Sequence, residues 1–281
     1  MEELKKKYIQ QTVDSNIKSF AEKLSWKHIS ELDNPNGVIN KKRKNVFIEA
    51  LGNDEFIFYS AFVRSFDSSF GNVLEKIGND IAGLSFTTKK EIDSFLLPAQ
   101  EQKIAELKNA YKTDAEHRVE PKIEHYKNYF CIVPDNIESF RRVHKTDHCF
   151  YNTEKNEYYI MELKAGGDLD NKKAPSEKEE LLKEYFMLKN KIERDAQKGQ
   201  ELPEINIYFC VGYNKDGEDS EWKQASVQSC FAKDEIIVGK KYWNFVCDDE
   251  KGFDIVLEQY KESSKYIKKA LQDIKLAYSL N

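Results

Sequence analysis

The chain has 281 residues with 40% hydrophobic and 12% aromatic content, enough for a sizeable core and too apolar for disorder. Its net charge of −5 excludes a globally basic nucleic-acid coat, leaving local basic patches at 41–44, Arg141–Arg142 with His144 and Lys145, Lys172–Lys173 and Lys240–Lys241. No run reaches the roughly 18 apolar residues of a membrane span, "MEELKKKYIQ" lacks the apolar stretch of a signal peptide, and the scattered cysteines form no CxxC pair, so a cytoplasmic globular protein with reduced thiols is expected.

In chain order, apolar residues recur at helical spacing over 3–24, and "LDNPNG" at 32–37 reads as a turn. Residues 45–66 hold short apolar runs broken at Gly52-Asn53-Asp54. Asp67, Ser68 or Ser69 then offers an N-cap for a helix whose stripe is Phe70, Leu74, Ile77 and Ile81. Thr88 with Glu91 has the spacing of a capping box, which predicts a second helix, kinked at Pro98, to about residue 117.

From residue 129 the pattern turns to strands: "YFCIV", "HKTDHCFY" and "EYYIMELKA", with a turn at 152–156. Residues 175–196 read as an amphipathic helix, 205–213 ("INIYFCVGY") as an interior strand and "DEIIVG" as a short strand, with a closing helix over 253–279. No repeat or interdomain linker interrupts the chain. The expectation is a single α/β domain over 1–281: a helical N-terminal extension (1–66), a core (67–250) and a C-terminal helix (251–281).

The stretch "YYIMELKAGGDLDNKK" (158–173) poses the chemical question. Strand side chains alternate faces, so Tyr158, Ile160, Glu162 and Lys164 share one face, an acid and a base at the end of an apolar strand. A hairpin closing symmetrically about Glu154–Lys155 sets Asp147 directly opposite Glu162. Facing residues of an antiparallel pair have Cβ atoms about 4.5–5.5 Å apart, and two carboxylates so close repel unless a cation lies between them. Mg²⁺ is the natural candidate, since it takes oxygen ligands from one or two carboxylates and keeps the rest of its shell for water and phosphate. Lys164, one pleat on, is placed to hold a water or to neutralise a phosphate. The arrangement suits phosphodiester hydrolysis. The bland alternative is an edge hairpin with a solvated charged face, and Glu-Leu-Lys also occurs at 3–5 and 106–108 in helical surroundings.

Asp147…Glu162-Leu163-Lys164 resembles the PD-(D/E)XK nuclease signature as it occurs in Type II restriction endonucleases. Lys145-Thr146 precede the Asp where a Pro is common. "SSFGNVLEKIGNDIA" resembles the helix before the catalytic core of several such enzymes, and there Glu75 matches an acid that can join the site. "FCVGYN" and "IIVGKKYWNF" resemble a group cutting palindromes built on a GGNCC core, and the likeness spans roughly 60–250. It implies a mixed β-sheet flanked by helices, with Asp147 and Glu162 as metal ligands and Lys164 as the catalytic lysine. It also implies Mg²⁺ dependence and a homodimer making a double-strand break in double-stranded DNA. Bases would be read from the loops at 166–173 and after 213, where Lys172, Lys173, Lys223 and Gln224 are candidates. A non-specific repair or recombination nuclease of the same fold, and a non-catalytic DNA-binding protein, are the competing readings.

Weaker constellations point elsewhere. His144-x-x-x-His148-Cys149 superficially resembles a zinc motif, but on a regular strand both histidines share the face opposite Asp147 and Cys149, without a second ligand pair. Packing or phosphate contact is the expected use. Tyr242, Trp243 and Phe245 are expected in the core. Neither GxxxxGK[ST] nor GxSxG occurs.

Overall fold

A computed structural model describes residues 1–112, 116–134, 136–166 and 172–279. Its helices are α1 (Glu3–Ser30), α2 (Val38–Arg43), α3 (Val46–Glu49), α4 (Asp54–Ala82), α5 (Pro98–Lys112), α6 (Glu124–Lys127), α7 (Lys173–Asp195), α8 (Ala225–Gln228), α9 (Lys240–Cys247) and α10 (Gly252–Ala277). The strands are β1 (Thr87–Phe95), β2 (Arg141–Asn152), β3 (Glu157–Lys164), β4 (Glu204–Val211) and β5 (Ile236–Val238). The chain forms two compact units, residues 1–81 with 249–281, and residues 82–248.

The first unit is helical. Ile9, Val13, Ile17, Phe20 and Leu24 recur every three or four residues along α1 and are all buried, as the period of a helix packed on one side requires. α4 is longer than its sequence signals suggest. It begins at Asp54, where Asn53 accepts the N–H of Phe56 at 2.9 Å, and runs straight through Asp67-Ser68-Ser69, the expected cap. The reason is a ladder of rings every fourth residue: Phe58 on Phe62, Phe62 on Phe66 and Phe66 on Phe70, with centroids 5.9, 6.2 and 5.1 Å apart. Packing across the ladder outweighs the local capping option of the serines, and Ser68 bonds back to the Ser65 carbonyl instead.

The second unit is a five-stranded mixed sheet, ordered β1-β2-β3-β4-β5 and flanked by helices, in keeping with the α/β expectation. β1, β2 and β3 are antiparallel neighbours, whereas β3–β4 and β4–β5 are parallel and need α7 and the 212–235 segment as crossovers. α7 covers one face, where Leu181, Leu182, Tyr185 and Phe186 meet Cys149, Ile160, Ile207 and Phe209. Phe150, Tyr159, Phe86 and Phe245 gather as packed rings on the other. Tyr242 and Trp243 are buried as expected, and β4 is interior.

Two expectations fail here. Residues 87–95 are strand β1, not helix: pairing along β2 supplies partners from Thr87 to Phe95, and that non-local ladder overrides the Thr88–Glu91 spacing. Pro98 consequently opens α5 rather than kinking it, at the position where a missing N–H is harmless. "YFCIV" is not a strand, because no neighbouring strand pairs with it among the described residues; Phe130 and Ile132 are 78% and 93% exposed. All five cysteines are free, and no described helix is long and apolar enough to cross a membrane.

Candidate active site

The β2–β3 hairpin closes in the expected register. His148 pairs with Met161, Cys149 with Ile160 and Asn152 with Glu157. One step further along that register Asp147 meets Glu162, and Asp147 Oδ2 accepts the Leu163 N–H at 3.0 Å. Asp147 is thereby fixed by the backbone of the strand that carries the other two groups.

β2 is not regular at this point. Lys89 of β1 faces Cys149 but Glu91 faces Lys145, so 146–148 bulge opposite Lys90. The Thr146 hydroxyl closes the bulge on the His148 carbonyl at 3.0 Å. A bulge re-aims side chains and is common beside active sites. It corrects the expectation that His144 and His148 share a face. His144 turns to α7, with Nε2 3.2 Å from Glu184 Oε1 and 3.6 Å from Glu180 Oε2. His148 packs on Phe150 and meets the Tyr242 hydroxyl at 2.7 Å through Nε2. Among the described residues neither belongs to a group of potential zinc ligands.

Lys164 ends β3, and its ammonium is shared between Glu162 and Glu177 of α7, the second contact at 3.1 Å. Beyond it the backbone stays pinned to the neighbouring strand, with Gly212 N–H on the Lys164 carbonyl at 2.8 Å and Tyr213 N–H on the Ala165 carbonyl at 3.1 Å. Gly166 follows, and a Cβ there would meet the hydroxyl of the exposed Tyr213 ring, which would have to shift.

The electrostatics match the geometry. Burial pushes Glu162 up to about 8, and the charge of Asp147 pushes it in the same direction against the pull of Lys164. Asp147 is raised by burial as well, opposed by the Leu163 N–H and by Lys164. Burial alone would lower Lys164, but attraction and hydrogen bonding from Glu162 and Glu177 outweigh it and raise the group. Two half-buried carboxylates that resist joint ionisation, beside an ammonium held charged, form an oxygen-only donor pair. Among the described residues no three His, Cys, Asp or Glu side chains gather as a metal-binding group, and the carboxylates this hairpin offers a hard cation are Asp147 and Glu162. One or two carboxylates are what Mg²⁺ takes from a protein before water and phosphate complete its shell.

Comparison with known families adds the decisive observation: the family model described as "Type II restriction endonuclease, HinfI" matches residues 5–264. The chain belongs to that family. Neither curated proteins nor solved structures give a match. The chain is therefore a nuclease of the restriction-endonuclease class acting on DNA, and Asp147, Glu162 and Lys164 lie within the matched span.

The remaining sequence candidates fall in different places. Glu75 lies half-buried on α4 in the helical unit, between buried Leu74 and Ile77, and its assignment rests on resemblance alone. Lys172 and Lys173 are exposed at the start of α7, while most of the 166–173 loop, residues 167–171, lies outside the described residues. Lys223 is exposed, with its N–H on Asp216 at 2.9 Å. Gln224 is buried, and its side-chain oxygen accepts the Ser226 hydroxyl at 3.3 Å. The 214–244 region forms a cleft of about 800 Å³ whose lining includes Trp222, Lys233, Lys240 and Lys241.

Sequence reasoning missed the acids of α7. Glu177, Glu180 and Glu184 are spaced by three and four residues, which places them in one row on a helix. Glu184 is buried within the apolar stripe of that helix, and a carboxylate at such a position was the available signal.

Proposed function

We propose that this HinfI-family nuclease cleaves double-stranded DNA at a PD-(D/E)XK-type site formed by Asp147, Glu162 and Lys164. On this reading it is a Mg²⁺-dependent homodimer that acts in the cytoplasm on a short palindrome. The observation that carries the reading is the placement of Lys164 beside the half-buried Asp147–Glu162 pair at the end of β3.

Asp147 and Glu162 would hold Mg²⁺, which supplies a polarised phosphoryl oxygen and a water of lowered pKa. Asp147 is oriented by the Leu163 N–H, so its carboxylate presents a fixed edge. Glu162 is half-buried and close to Asp147, so each acid disfavours ionisation of the other, and a cation between them would favour the doubly ionised pair. Lys164, held charged, places its ammonium where it can orient the attacking water or neutralise the phosphate. Exposed Lys172, Lys173 and Lys223 would contact DNA, and their replacement should each lower the salt slope of binding by about one. The net charge of −5 then requires cations concentrated on the DNA-facing side.

The test is a digest of unmethylated phage DNA with Mg²⁺ or EDTA, beside Lys164→Ala. Discrete bands lost in EDTA and in the variant support the proposal, and sedimentation checks the dimer. A smear lost in the variant favours a non-specific nuclease. Full cleavage by Lys164→Ala, or none by the wild type, overturns the site. The fragment ends identify the palindrome; ends without a GGNCC core would reject that resemblance and leave the family assignment standing.

A further inference from the structure

We propose that Glu177 is a positioning residue for Lys164, the anchor that keeps its ammonium at the reacting phosphate. The inference rests on the reading above, in which Lys164 takes part in cleavage. Lysine carries its charge on a flexible four-carbon stem, so an ammonium at a strand terminus needs an external contact to stay in one place. Lys164 has two such contacts, Glu162 and Glu177. Glu162 faces Asp147 and is committed to that pair by the proposed chemistry. Glu177 is different: among the described residues Lys164 is the cation it pairs with, and it approaches from α7, across from the strand that carries Lys164.

The helix that carries the anchor is tied to the core beside it. The residue after Glu177, Lys178, is locked to Glu235 by two contacts of 2.6 and 2.7 Å in the core. On the same helix Glu180 and Glu184 hold His144, just upstream of the bulge that presents Asp147. α7 therefore braces both strands of the site, and Glu177 is its contact to Lys164. Without Glu177, the ammonium follows Glu162 alone and folds back on the acid pair instead of reaching the phosphate. A group that acts this way affects the chemical step and leaves DNA affinity intact, because the contact it fixes is made at the scissile phosphate.

The experiment compares wild type, Glu177→Gln and Glu177→Asp in three measurements. Single-turnover cleavage of saturating, Mg²⁺-supplied DNA should fall about 10- to 100-fold in Gln, the usual effect of removing a partner that orients a reacting group, and Asp should restore part of it. DNA affinity in EDTA should hold or tighten, since a negative charge has been removed. Reductive methylation of the metal-free protein, read by peptide mass spectrometry, should label Lys164 faster in Gln than in wild type.

Unchanged cleavage, or unchanged Lys164 labelling, overturns the positioning role. Weaker DNA binding with a lowered melting temperature would show that Glu177 only supports the fold, and also overturns it. Full cleavage by Lys164→Ala would sink the underlying site assignment instead, whatever Glu177→Gln does to labelling.

Discussion

The buried Lys178–Glu235 pair offers a quantitative test of how the sheet unit is held together. Its side chains are only 3% and 2% exposed, and Glu235 accepts both Lys178 contacts, the Tyr126 hydroxyl at 2.9 Å and the Ala232 N–H at 2.7 Å. Glu235→Gln keeps the volume but cancels the charge. Lys178 must then stay charged and unpaired, at about 3–5 kcal/mol, or fold without its proton. The second route costs about 1.4 kcal/mol for each pH unit below the ordinary lysine value of about 10.4, hence about 5 kcal/mol near pH 7 and about 2 near pH 9. Burial already lowers Lys178, with Glu235 opposing, so in the variant the folded state binds fewer protons than the unfolded. Stability of Glu235→Gln should therefore rise with pH across this window. Urea unfolding followed by tryptophan fluorescence near both pH values measures it, with Lys178→Met/Glu235→Gln as the control that leaves no buried charge. A loss below about 1 kcal/mol, or one equal at both pH values, would refute the argument.

Gly239 has φ +53°, and a Cβ there would lie 2.0 Å from the Glu218 oxygen that accepts the Lys240 N–H. Gly239→Ala should destabilise the protein by about 1–3 kcal/mol in the same assay. His144 is raised by its hydrogen bond to Glu184 against the effect of burial. Its contribution should be complete below about pH 6.5 and disappear as pH rises through its higher folded value, so His144→Ala should flatten stability against pH in that range. His28 is buried, and neither ring nitrogen has a hydrogen-bond partner among the described residues. Burial lowers its pKa, so folding should weaken as pH falls below about 6.5. Thermal melts of His28→Leu should show that acid sensitivity removed and a gain of about 1–3 kcal/mol.

The acid pair was legible because its cause is local. A pleat has a period of two, and a tight turn fixes which residues face each other, so the turn at 152–156 sufficed to bring Asp147 to Glu162. The helices α7 and α10 and the interior strand β4 were readable from periodicity and continuous apolar character for similar reasons. β1 was not. Its residues carry an acceptable helix start, and only β2, some fifty positions away, makes them a strand. The caps at 67–69 misled likewise, because the phenylalanine ladder of α4 is a property of packed rings rather than of any three residues.

The amino-acid sequence by itself determined the chemistry available to this protein: two carboxylates and a lysine on one hairpin, in a register set by the turn. Tertiary structure decided how that chemistry is held. The bulge at 146–148 exists because β1 and β2 pair out of step, and it sends His144 and His148 to different helices. The carboxylates of Glu177, Glu184 and Glu235 come from segments outside the hairpin, and only folding brings each of them to the charge it pairs with.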